Sequence, residues 1–122
     1  MKNYEEMSDF GINNNVAKAL GLDIKEYQDR SGSMVWFTVK NKEGNDYFDY
    51  IDYKDFCNKP EDAWPIIDEN NITIINDHPS MRLAVNDAAE YYNGFSGIIA
   101  SSDENGFRAA MIVFLKMNEG KL

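Results

Sequence analysis

The chain has 122 residues, of which 43% are hydrophobic and 27% charged, so it can bury a core and is not a disordered chain. Its 12 Lys and Arg against 21 Asp and Glu give a formal net charge of -9, which disfavours direct binding to nucleic acid or to anionic lipid because both need clustered cations. A single cysteine excludes an internal disulfide, and we find no signal peptide or membrane span, so we expect a single domain, residues 1–122, in a reducing cytoplasm.

The first predicted helix runs from Ser8 to Leu20. Ser8 is a favourable N-cap, and Ile12, Val16 and Leu20 recur at four-residue intervals, which places them on one helix face. An edge strand is predicted after this helix, over residues 22–27.

A β-hairpin is predicted next. The segment "MVWFTVK", 34–40, alternates as a strand does, with Val35, Phe37 and Val39 on one face. The polar segment "NKEGN", 41–45, is typical of a hairpin loop. We therefore expect the following stretch, "DYFDYIDYKDF", to pair antiparallel with the first strand.

The middle of the chain indicates a short helix with two prolines, Pro60 and Pro65. If the helix began at Pro60, the ring of Pro65 would press on the carbonyl of Glu61, at a cost of roughly 3 kcal/mol. The sequence therefore predicts that Pro65 lies in the first turn of a helix ending near Asn70. The residues from Pro60 to Trp64 are then a separate turn.

The second half begins with short apolar segments. Residues 72–75, 81–85 and 95–101 are predicted strands, and residues 86–94 are a loop or a single helical turn.

The last predicted helix, 107–117, carries charge only at Arg108 and Lys116, which share one narrow face. Asp103 or Asn105 can cap its start, and Gly120 can close its end. A helix with so few charged residues must be buried over most of its surface. We expect a sheet to pack on one side of it, and another helix or a second subunit to pack on the other. It therefore permits a homodimer.

These elements predict an α+β fold. A small antiparallel sheet packs against an N-terminal helix, a short middle helix and an apolar C-terminal helix.

Three segments resemble the NinX-like proteins of tailed phages and prophages: "SDFGINNNVAKALGL", "FCNKPEDAWPII" and "GFRAAMIVFLKMNEG". They occur at the beginning, middle and end of the chain, in the family order. Gly11 and Gly106 depart from the family pattern, which tends to have Glu and Pro there. The resemblance implies a phage accessory protein that acts in the bacterial cytoplasm, outside the virion. The family has no assigned activity, so no catalytic residue is carried over.

The acidic, tyrosine-rich stretch 46–56 has two interpretations. It is a solvated strand with mixed packing, or it is a partner-binding surface, because tyrosine beside acid is a common composition of protein interfaces. A calcium loop is excluded, since its D-x-D-x-D-G spacing is absent. The candidate residues, with Trp64 added, are Asp46, Tyr47, Asp49, Tyr50, Asp52, Tyr53, Asp55 and Trp64. Trp64 can anchor a partner or close a pocket, but a tryptophan before an Ile-Ile helix more often packs into the core.

The sequence contains no catalytic, metal-binding or cofactor-binding motif. Cys57 is interpreted as a small buried apolar residue. The leading hypothesis is a non-enzymatic module that binds a host or phage protein and inhibits a host function or defence system. One alternative is a small-molecule binder or enzyme with a pocket near Trp64, Asp62 and His78. A third is an inhibitor that imitates nucleic acid with two rows of carboxylates.

Overall fold

The structure, a computed structural model, describes residues 3–24, 34–39, 50–76, 80–94 and 97–119. A short 3-10 turn, Tyr4–Glu6, precedes the main elements. In chain order these are α1 (Asp9–Ala19), β1 (Asp23–Ile24), β2 (Val35–Val39), β3 (Tyr50–Lys54), α2 (Pro60–Glu69), β4 (Thr73–Ile75), β5 (Arg82–Val85), α3 (Ala88–Tyr92), β6 (Ala100–Asp103) and α4 (Gly106–Met117).

The strands form two antiparallel sheets of three strands each, in the orders β1-β2-β3 and β4-β5-β6. The predicted α+β fold is confirmed, although the sequence indicated one sheet and the described residues form two. The predicted pairing of the hairpin is also confirmed, with Trp36 opposite Tyr53 and Thr38 opposite Ile51. Its predicted loop, 41–45, lies outside the described residues.

Helix α1 begins where its sequence predicts. The Ser8 hydroxyl accepts a hydrogen bond from the Gly11 N–H at 3.1 Å, which satisfies one of the free donors of the first turn. Ile12 and Val16 are fully buried, so this face of α1 packs into the core. The edge strand predicted over 22–27 is present as β1, and residues 25–27 lie outside the described part of the chain.

The predicted start of the middle helix is wrong. Helix α2 begins at Pro60 and contains Pro65 in its interior, so the turn predicted before Pro65 is helical. Pro60 occupies the first helical position, where its missing N–H costs nothing. Burial of Ala63 and Ile67 on the inner face outweighs the bond lost at Pro65, which lies on the exposed side.

In the second half, β4 and β5 occupy the predicted segments. The predicted single turn is the short helix α3, whose first turn is capped by Asp87. The strand predicted over 95–101 is displaced, because β6 begins at Ala100 and continues to Asp103. Residues 95–96 lie outside the described part of the chain.

Helix α4 lies at the centre of the protein. All seven residues from Ala109 to Leu115 are buried. The cover comes from α1, α2 and the sheet β4-β5-β6 of the same chain. The apolar surface of α4 therefore does not require a second subunit, and the homodimer stays a prediction. Of the two residues predicted to cap its start, Asn105 and not Asp103 is the N-cap. Gly120, predicted to close its end, lies outside the described residues.

One set of buried side chains joins these elements. It includes Ile12 of α1, Val35 of β2, Ile66 of α2 and Ala84 of β5, together with the buried residues of α4. No helix in the described ranges is long and apolar enough to cross a membrane.

Candidate functional site

Asp55 lies inside the protein, with 5% of its surface exposed. Its carboxylate accepts hydrogen bonds from the side-chain amides of Asn13 at 2.8 Å and Asn58 at 3.1 Å. The backbone N–H of Asp55 donates to the carboxylate of Asp62 at 2.9 Å. Asp55 therefore joins the end of β3 to α1 and α2, and it cannot belong to an exposed partner-binding face as the sequence suggested.

Arg108 makes a second set of buried polar contacts. Its guanidinium donates to the carboxylates of Asp9 at 2.7 Å and Asp103 at 3.2 Å, and to the Met7 carbonyl at 2.6 Å. Only 11% of the Arg108 side chain is exposed. This fork ties the start of α4 to the start of α1 and to the end of β6.

Asn105 links the two sets. Its amide nitrogen donates to the Cys57 carbonyl at 2.6 Å and to the Asn58 side-chain oxygen at 3.0 Å. Its amide oxygen accepts from the N–H groups of Phe107 and Arg108, which caps α4. The three segments that carry the family resemblance therefore meet in one polar cluster. Because these donors and acceptors pair with one another, the cluster stabilises the fold and is not itself a free binding site.

The titratable groups beside this cluster support the same conclusion. Burial raises the pKa of the Cys57 thiol, and the nearby Asp9 carboxylate raises it further. The thiol is therefore neutral and unreactive, which agrees with its interpretation as a buried apolar residue. A hydrogen bond from Lys116 lowers the pKa of Glu5, which keeps that carboxylate ionised beside its partner.

A different surface lies on the outer face of β2 and β3. Residues that are directly opposite in an antiparallel pair point to the same side of the sheet, so Trp36, Ile51 and Tyr53 share a face. Ile51 is 49% exposed and Tyr53 is 44% exposed. The Tyr53 ring lies 4.7 Å from the Trp36 ring, and the ammonium of Lys59 lies 5.2 Å from its centroid. We call this group of Trp36, Ile51 and Tyr53 the outer aromatic face.

The outer aromatic face lies at a sheet edge, since β3 is the last strand of β1-β2-β3. The Asp52 carboxylate accepts the Tyr53 N–H at 2.8 Å. An N–H that is occupied by a side chain is less available to an added strand, so contact through side chains is favoured over strand addition.

Of the predicted partner-binding residues, the structure therefore brings Tyr53 and Asp52 to this edge and puts Asp55 inside. Tyr50 begins β3. Asp46, Tyr47 and Asp49 lie outside the described residues. Ile51 and Trp36 were not among the predicted partner-binding residues, although the alternation of 34–40 puts Trp36 on the face away from Phe37. The hairpin alignment contained that signal, because a register that pairs Trp36 with Tyr53 puts both rings on the face away from Phe37.

Trp64 lies elsewhere, on α2, and is 46% exposed. Its ring contacts Phe107 edge-on, with centroids 5.6 Å apart, and forms one wall of a cavity of about 380 Å³. Asp62 does not line this cavity, because its carboxylate faces Asp55 and Lys54. His78 lies outside the described residues. We call this cavity the Trp64 pocket.

Several carboxylates are already engaged within the fold. Those with cationic or amide partners are Glu5, Asp9, Asp55, Asp62 and Asp103. Their charges are directed at partners inside the protein, so they do not supply the rows of free carboxylates that imitation of nucleic acid requires. Within the described ranges, no group of three His, Cys, Asp or Glu side chains is placed to hold a metal ion.

Comparisons with known proteins test the family that the three segments resemble. A comparison with curated proteins gives no match. The model of the family described as "Bacteriophage P22, NinX" matches residues 3–118. Because this match covers nearly the whole chain, the protein belongs to the bacteriophage P22 NinX family.

Proposed function

We propose that this phage accessory protein is a non-enzymatic module that binds a host or phage protein in the bacterial cytoplasm. The observation that supports the proposal is the outer aromatic face. There Ile51 and Tyr53 leave nearly half of their surface exposed, although folding normally covers side chains of this kind.

The composition of this face fits a protein partner. Tyrosine and tryptophan are enriched at the centres of interfaces, since they bury a large area and lose little side-chain freedom. Tyr53 is held between the Trp36 ring and the Lys59 ammonium, so it is positioned before a partner arrives. A side chain that is already ordered loses less entropy on binding.

The net charge of -9 indicates which partner surface is favoured. A basic surface is attracted to this protein over a distance of about 10 Å at 0.1 M salt, and anionic surfaces are repelled. We therefore propose a partner with a basic docking surface. Inhibition of a host function or defence system is the consequence we expect of such binding.

The test is affinity capture of the tagged protein from infected cells, with partners identified by mass spectrometry. The double variant Ile51→Ser, Tyr53→Ser removes the outer aromatic face. The matched control is Tyr92→Ser, because Tyr92 is 69% exposed on α3, away from β3. We expect the native protein and the control to retain the same partner, and the double variant to retain at least about tenfold less.

Two further measurements make this result decisive. Urea denaturation tests whether the double variant is folded. Binding of the purified partner is then measured at low and at high salt. A basic partner binds more weakly at high salt. Equal retention by all three proteins would remove the outer aromatic face as the interface, and salt-independent binding would remove the basic partner.

A further inference from the structure

The Trp64 pocket lies between elements that do not form the outer aromatic face. Its walls come from α2, β4, β5 and the start of α4. A volume of about 380 Å³ lies within the range of small-molecule sites, roughly 300–1,000 Å³. The cavity is therefore large enough for a ligand of one or two rings.

Close packing of the backbone shapes this pocket. Gly106 begins α4, and a Cβ atom built there would lie 3.1 Å from a methyl carbon of Ile74 and 3.5 Å from the Arg82 side chain. Such a contact is tighter than most side chains tolerate. The absence of a side chain at Gly106 thus lets the first turn of α4 lie directly against β4 and β5.

One part of the pocket is apolar. Trp64, Phe107 and Ile74 line it, and the two rings meet at an interplanar angle of 82°. Nearly half of the Trp64 surface is exposed. An indole that is partly exposed can stack on a planar group.

The other part of the pocket is polar. Arg82 and Asn76 line it. A guanidinium has five N–H donors, so Arg82 can keep its own contacts and still donate to an anion. The first turn of α4 adds positive partial charge at the same place. Glu104 on the rim opposes an anion, whereas the charge of Asp103 is offset by Arg108.

We propose that the Trp64 pocket binds a small planar aromatic ligand that carries a carboxylate or phosphate group. The ring lies against Trp64 and Phe107, and the anionic group lies at Arg82. This site is separate from the outer aromatic face and does not depend on the proposed protein partner.

The test uses a pair of probes that differ only in charge, indole-3-acetate and indole-3-acetamide. Each is titrated into ¹⁵N-labelled protein and followed by NMR. We expect shifts at the backbone amides of Ile74, Gly106 and Phe107 and at the Trp64 indole. The acetate should bind about tenfold more tightly than the acetamide, because only the acetate gains a charge-assisted bond to Arg82.

Two variants of the pocket should move this preference in opposite directions. Arg82→Gln should weaken binding of the acetate about tenfold and leave the acetamide unchanged. Glu104→Gln should tighten binding of the acetate about two- to threefold, because a repelling charge is removed. In both variants the amide spectrum away from the pocket should be unchanged, which shows that the fold is intact.

A second pair, adenosine 5′-monophosphate and adenosine, distinguishes phosphate from carboxylate ligands. Preference for the charged member of either pair, lost in Arg82→Gln, supports the proposal and identifies the anionic group. The proposal is overturned if both members of both pairs bind equally. It is also overturned if the shifts lie outside the pocket, or if no saturable binding occurs at millimolar concentrations. Retention of the protein partner by Arg82→Gln should be unchanged, which keeps this result separate from the test of the outer aromatic face.

Discussion

Asp52 and Asp55 lie three residues apart in the same acidic stretch and have opposite environments. Asp52 is at the sheet edge, where its carboxylate accepts the neighbouring N–H of Tyr53. Asp55 is buried and accepts from Asn13 and Asn58. The two aspartates therefore have different roles: Asp52 lies at the surface, and Asp55 lies in the interior.

We predict that Asp55→Ala lowers the free energy of unfolding by about 2–4 kcal/mol, because it removes the buried carboxylate to which the side-chain amides of Asn13 and Asn58 donate. The matched change Asp52→Ala should lower it by less than about 1 kcal/mol, since water can replace an exposed acceptor. Urea denaturation of both variants measures the difference. Similar losses for the two variants would contradict the placement of Asp55 in the interior.

The sequence could not reveal this difference between the two aspartates. The spacing of the acids in 46–56 is regular, and the position of Asp55 depends on Asn13, which lies 42 residues earlier in the chain. A contact over such a distance leaves no local pattern. The exposure of Tyr53 depends on the register of the hairpin. Alternation puts Tyr53 and Ile51 on one face of β3, and the pairing of Tyr53 with Trp36 makes this the face away from the buried Phe37.

Among the elements, α2 departs most from its expected form. Its interior proline removes the N–H that would bond to the carbonyl of Glu61, yet the helix is continuous from Pro60 to Glu69. Both Glu61 and Pro65 are on the exposed side, where water reaches the free carbonyl. The buried side, with Ala63 and Ile67, holds the helix together.

We predict that Pro65→Ala raises the free energy of unfolding by about 1–2 kcal/mol, because it restores a helical hydrogen bond and loses only part of that gain to a more flexible unfolded chain. Pro60→Ala should have the opposite sign and cost about 0.5 kcal/mol, since proline is favourable at the first helical position. Thermal and urea unfolding of the two variants provide the comparison. A loss of stability in Pro65→Ala would show that the proline ring itself supports the packing of α2.

Elements with local signals were predicted correctly, and those decided by packing were not. For α1, a cap at Ser8 and a four-residue apolar spacing determine the helix within one short segment. For α2, the low helix propensity of proline predicts a break at Pro65. Burial of the helix against α4 contributes more free energy than this proline costs. For β6, the apolar run at 95–101 suggested a strand, but pairing with β5 selects Ala100 to Asp103 instead.

At the scale of the whole molecule, α4 is enclosed by its own chain, and Arg108 connects it to the N-terminal segment. The contacts of Arg108 with Asp9 and with the Met7 carbonyl span about 100 residues of sequence. Arg108 therefore joins the two ends of the described fold, together with Lys116, which pairs with Glu5.

We predict that Arg108→Lys lowers the free energy of unfolding by about 2–3 kcal/mol, because a single ammonium cannot satisfy Asp9, Asp103 and the Met7 carbonyl together. The control is Lys54→Ala, since Lys54 lies 3.5 Å from Asp62 with 36% of its own side chain exposed, and should contribute less than about 1 kcal/mol. Urea denaturation measures both. An equal effect of the two changes would mean that the fork geometry of Arg108 is not what stabilises the contact.

The separation of 99 residues between Asp9 and Arg108 also bears on the order of events as the chain collapses. Closing a loop of this length costs an entropy equivalent of about 4 kcal/mol, more than the ion pair returns, so the pair cannot nucleate folding. We predict that it forms after the transition state, once α4 has packed against its sheet. Arg108 then stabilises the native state and not the transition state. Its loss should increase the unfolding rate constant and leave the refolding rate constant almost unchanged.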